Sequence, residues 1–198
     1  MDEIKSAWEI AQEKIKDIAV DKESLAEQEN VVSGKKLMSR FLDDPEKVSP
    51  ADELKRLSGK KKAQVKKGML DTLLANFALP LSESAKSRNE RVYRGLSSLA
   101  PGVKPLQHIL AQIGQFFKEF EDGRVRIEEA VEAQYAPRLK QKAEALAKQL
   151  GTRVELHAMQ DPEFVALLKK NLAAFDERYS QAIQEVKGEI ERLVTQAP

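Results

Sequence analysis

Apolar side chains recur near the start of the chain at Ile4, Trp8, Ala11, Ile15 and Ile18, at intervals of 4, 3, 4 and 3. That period matches the turn of an α-helix and predicts an N-terminal helix with one narrow apolar stripe. Such a stripe suits packing on the protein's own body, or a coiled-coil seam with a partner helix. Asp21 is placed to cap a second helix over residues 22–42, with Leu25, Val32, Leu37, Met38 and Phe41 as its apolar set. Asp43-Asp44-Pro45 ends it. Ser49-Pro50-Ala51-Asp52 then restarts a helix with a serine cap, a proline at the first position and an acid in the first turn.

The next helix, about residues 60–79, carries Leu70, Leu73, Leu74 and Phe77 as its stripe. Projected backwards, that stripe falls on Ala63, Lys66 and Lys67. Burying lysines unpaired costs several kcal/mol, so the helix is expected to leave the core near Met69 with its first turns in solvent or on a partner. Ser82 or Ser84 opens a helix with Val92, Leu96 and Leu99. The most apolar segment, about residues 105–121, has Leu106, Ile109, Leu110, Ile113, Phe116, Phe117 and Phe120 and is the expected centre of the core, closed by Asp122-Gly123.

Two long helices finish the chain, about 124–150 and 162–195. Pro137 should kink the first, and Asp161-Pro162-Glu163 opens the second with a cap, an N1 proline and an acid. Between them, residues 152–159 alternate polar and apolar, a strand pattern. A lone strand has no ladder partner elsewhere in this helix-rich chain and would need a partner's edge, so the segment is left open between strand and loop. The expected fold is all-α: an elongated multi-helix bundle over residues 1–121, with a basic segment at 55–94, ending in a long antiparallel helical hairpin over 122–198 that is either separate or continuous with it.

The opening EIKSAWEIAQEKIKDI resembles the N-terminus of small uncharacterised helical bacterial proteins over roughly the first twenty residues. The resemblance implies a helical start and brings no activity with it.

Net charge changes the picture, because +1 overall hides three unlike regions. Residues 1–54 sum to −6, residues 55–94 to +8 and residues 95–198 to −1. Within the basic island, Lys55, Arg56, Lys60, Lys61, Lys62, Lys66 and Lys67 put seven cations in thirteen residues with no acid among them. Such a run can hold a phosphate backbone by counterion release, meet an acidic protein surface, lie on anionic lipid, or neutralise the chain's own acidic start. It contains no aromatic for base stacking and no nucleic-acid reader motif.

Candidate chemistry is sparse. There is no cysteine, and the two histidines, His108 and His157, have no carboxylate at helical metal-site spacing. No GxSxG, GxGxxG or GxxxxGK[ST] occurs. No catalytic, cofactor-binding or metal-ligating residue is assigned, and no cofactor is expected. No apolar run approaches the ~18 residues of a membrane span, and the start lacks a signal-peptide pattern, so a cytoplasmic protein is expected. The expectation is a non-catalytic helical interaction or scaffold protein, with a protein partner or a second copy docking on Ile4, Trp8, Ala11, Ile15 and Ile18. The alternative is a nucleic-acid-associated protein using the lysines of residues 55–67.

Overall fold

The computed structural model describes residues 7–197, and between Ala7 and Asp21 the side chains of Trp8 and Gln12 alone. Among the described residues the fold is all-α, with no strand. The helices are α1 (Ala7–Asp43), α2 (Pro50–Lys55), α3 (Gly59–Asn76), α4 (Glu83–Leu99), α5 (Lys104–Leu150) and α6 (Pro162–Gln196).

The chain divides into two compact units. One takes in the chain up to Phe77, Ser82–Gln107 and the end of α6 from Ile190; the other takes in Ala78–Leu81 and His108–Glu189. The division thus cuts through α5 and α6.

In the first unit, α1 and α3 run in the same direction. Glu23 pairs with Lys60, Asn30 with Gln64 and Lys35 with Asp71, in ascending order on both helices. Gly34 and Gly68 let the two backbones meet, since a Cβ on either would overlap a carbonyl of the other helix. Met38, Phe41 and Leu42 of α1, Val65, Met69 and Leu73 of α3, and Val92, Leu96 and Leu99 of α4 are buried. The serine caps fall where expected. Ser49 Oγ accepts from the Asp52 N–H at 3.4 Å and Ser82 Oγ from the Ala85 N–H at 3.2 Å. The Arg91 guanidinium donates to the Leu42 carbonyl at 2.6 Å, satisfying a carbonyl that the end of α1 leaves free.

In the second unit, α5 and α6 run antiparallel. Phe116 meets Tyr179, Phe120 stacks on Phe175 at 5.7 Å between ring centroids, and Tyr135 meets Phe164. The hairpin pairing expected from sequence is present over this stretch, and Pro137 lies inside α5.

Three expectations need correction, and the open question of a strand at residues 152–159 is answered. Asp21 caps nothing, because α1 is a single helix of 37 residues; good helix formers on both sides outweigh the small cost of one aspartate. Asp122-Gly123 closes nothing, because α5 is a single helix of 47 residues. Gly123 is buried where a Cβ would overlap the Phe175 ring, so it serves close packing rather than termination. Residues 152–159 form no strand; Gly151 at φ 68° ends α5 and Ala158–Gln160 form a 3-10 turn. Finally, α3 does not leave the core near Met69, since Val65, Lys66 and Gly68 are buried too.

Candidate functional site

The seven cations of residues 55–67 are not presented alike. On α2, Lys55 pairs with Asp52 and Arg56 with Glu53, both at 2.9 Å and both one helical turn apart. Lys60 reaches from the start of α3 to Glu23 on α1 at 2.7 Å. That hydrogen bond raises the Lys60 pKa and lowers that of Glu23. Lys61 and Lys67 are exposed and Lys62 half-buried.

Lys66 is buried, 8% exposed, and its ammonium donates to the Ala197 carbonyl at 2.7 Å. Removal from water pushes its pKa down, with nearby Lys62 adding to the effect. The expected solvated arm is therefore shorter than its sequence suggests: a backbone carbonyl from the end of the chain allows one of its lysines to be enclosed.

Lys62, Lys66 and Lys67 line a groove of about 510 Å³ with Leu70 and Val194, and its walls also carry Glu27, Asp71 and Glu191. Three cations and three carboxylates leave it formally neutral.

The stripe on α1 is the second candidate. Trp8 is 71% exposed. Ile4 lies outside the described residues, as do the side chains of Ala11, Ile15 and Ile18. Further along α1, every residue from Lys22 to Glu29 is exposed, Leu25 among them at 54%, and Val32 is 46% exposed. The face toward α3 holds Glu23, Asn30 and Gly34. At 100° per residue, Leu25 and Val32 lie on the opposite side of the helix.

A polar cluster in the second unit was not anticipated. Lys142 donates to Asp161 and Glu163, both at 2.7 Å, and to the Tyr135 hydroxyl at 3.0 Å. The Tyr135 hydroxyl in turn donates toward Asp161 at 2.9 Å, and Arg138 pairs with Glu163 at 2.8 Å. These bonds raise the Lys142 pKa and lower those of Asp161 and Glu163. The same bonds tie α5 to the start of α6. Tyr135 and Lys142 are seven apart on one helix, a spacing that the sequence offered and that the capping role of Asp161 obscured. His108 and His157 are both exposed.

A family model described as "Family of unknown function (DUF6657)" matches residues 51–192. The chain belongs to this family. The DUF6657 segment covers α2 to α5 and most of α6, so α1 and its stripe lie outside it. No curated protein and no solved structure matches the chain. No described helix is long and apolar enough to cross a membrane.

Proposed function

We propose that this DUF6657 protein is a non-catalytic helical interaction protein that docks a partner on the outer face of α1. One observation supports this above the rest. Trp8, Leu25 and Val32 are exposed on α1, and Leu25 and Val32 lie opposite the face fastened to α3. Isolated exposed apolar residues are ordinary on a protein surface. Leu25 and Val32, seven apart on one face and left uncovered by the described body, have the spacing of anchors that a partner helix reads.

The phosphate-binding alternative draws less support. Three of the seven cations at residues 55–67 face the protein's own carboxylates, and Lys66 is turned inward. Exposed ion pairs are individually weak and a polyanion could displace them, but the groove beside them carries as many carboxylates as lysines.

The test compares the wild-type chain with a Leu25→Asp, Val32→Asp variant, both expressed in the native cell. Extracts are crosslinked and sized, and circular dichroism checks that the purified variant keeps its helices. A crosslinked assembly that the variant loses supports the proposal. Free monomer in both extracts would discard it.

A further inference from the structure

Lys66 is buried, and its ammonium meets a neutral dipole, the Ala197 carbonyl at 2.7 Å. Lys62 lies one turn earlier on the same face of α3 and is half-buried. Among the described residues neither lysine forms an ion pair. An ammonium has three protons to donate, and Lys66 places one of them on Ala197. Removal from water lowers the Lys66 pKa, and the charge of Lys62 lowers it further. Two enclosed like charges with no counter-charge oppose each other and bear a desolvation cost. An anion between them would relieve both.

The same two lysines line a pocket of about 120 Å³, separate from the larger groove beside Leu70 and Val194. Three helices build it: Leu54 and Lys55 from α2, Lys62 and Lys66 from α3, and Ser98 and Leu99 from α4. All belong to the first unit. The groove carries three carboxylates, whereas no described residue lining this pocket is acidic. Lys55 is paired with Asp52 in an exposed ion pair, weak enough to exchange for a better acceptor. The last turn of α4, ending at Leu99, also lies here, and helix C-terminal ends favour cations. About half an elementary charge from one helix end leaves most of two ammonium charges uncompensated.

We infer that this pocket binds a phosphate dianion, either free or as the phosphoryl group of a monoester. Two unpaired ammonium groups match its two negative charges. Its several oxygens can accept from Lys62, Lys66 and Lys55 together. Lysine binds phosphate as a point charge and needs no planar fork. A pocket of about 120 Å³ is well below the ~300–1,000 Å³ that encloses a drug-sized ligand, so it takes the charged group alone. One phosphate held in a pocket differs from a phosphate backbone laid along the whole lysine run. None of these residues belongs to the outer face of α1, so the pocket stands or falls apart from the docking surface.

The experiment titrates the purified full-length chain with inorganic phosphate and, separately, with glycerol phosphate, in about 50 mM sodium chloride. The phosphorus NMR signal reports binding. The wild type should bind with a Kd of about 1 mM or tighter. A lower Kd for glycerol phosphate identifies a monoester as the ligand, and a lower one for inorganic phosphate identifies the free ion. Lys62→Met and Lys66→Met should each raise the Kd by about tenfold or more. Lys61 supplies the control, being exposed and outside the pocket. Lys61→Met removes the same charge and should leave the Kd within about threefold of wild type. Circular dichroism checks that each variant keeps its helices. A wild type that binds neither compound up to about 20 mM would overturn the assignment. So would a Lys61→Met chain weakened as much as Lys62→Met, since diffuse attraction to the whole run, and not a pocket, would then hold the anion.

Discussion

Gly34 of α1 and Gly68 of α3 form a reciprocal contact: a Cβ on Gly34 would overlap the Val65 carbonyl, and one on Gly68 the Val31 carbonyl. Both obstacles are backbone, which cannot rotate away as a side-chain tip can. The first prediction is that Gly34→Ala and Gly68→Ala each force α1 and α3 apart and cost about 1–3 kcal/mol or more. Gly114 is the control, a helical glycine with open space around it. Gly114→Ala should stabilise by about 0.5–1 kcal/mol through helix propensity alone. Chemical denaturation of the three variants checks the signs, and a neutral Gly68→Ala would mean the helices do not meet at their backbones.

The features legible in the sequence were those whose causes are local. Ser49 and Ser82 cap their helices with bonds to backbone groups three residues ahead, so a short window contains the whole cause. The all-α class and the antiparallel pairing of α5 with α6 followed from long apolar periods. Gly123 was misread because a glycine ends a helix or admits a neighbour, and only the arrival of Phe175 distinguishes the two. Lys66 was misplaced for a similar reason, since the carbonyl that accepts its hydrogen bond lies 131 residues away. The Tyr135–Lys142–Asp161 cluster combines residues from two helices joined by a loop whose path the sequence did not reveal.

The second prediction concerns acid. Lys142 holds Asp161 and Glu163 below their ordinary values of 3.8 and 4.5. A carboxylate with a lowered pKa in the folded state contributes stability above its unfolded value and loses it as pH falls through the folded one. The stabilisation from this cluster should therefore be intact at neutral pH and fade below about pH 4.5. Asp161→Asn should lower the melting temperature at pH 7 and flatten the acid-side fall between pH 4.5 and 2. An unchanged acid limb in that variant would show that other carboxylates govern it.

A third prediction follows from Tyr93. Its ring meets Phe77 edge-on, and its hydroxyl is buried without a hydrogen-bond partner among the described residues. Burial also pushes its pKa up. An unpaired buried hydroxyl costs desolvation and returns nothing, so Tyr93→Phe should stabilise the protein by up to about 1–2 kcal/mol. The ring contact survives the change, which separates the hydroxyl from the packing. A destabilised Tyr93→Phe would show that the hydroxyl has a partner in solution.

The last prediction uses Lys66 and has the opposite pH sense from the carboxylates. Its folded pKa is lowered by removal from water, with the nearby charge of Lys62 acting the same way. At neutral pH both folded and unfolded chains carry the proton, so the folded chain bears the full penalty of an enclosed charge. As pH climbs toward the ordinary value of 10.5, the folded chain gives up its proton first. The unfolded state then binds more protons, and stability rises with pH. Lys66→Met keeps the length of the stem, fills the same space beside Leu70 and Val194, and has nothing to titrate. The variant should be at least as stable as wild type at pH 7, and wild type should gain on it between pH 8 and 10 in parallel urea titrations. Equal pH slopes for the two chains would mean that Lys66 keeps an ordinary pKa and that its ammonium remains in water.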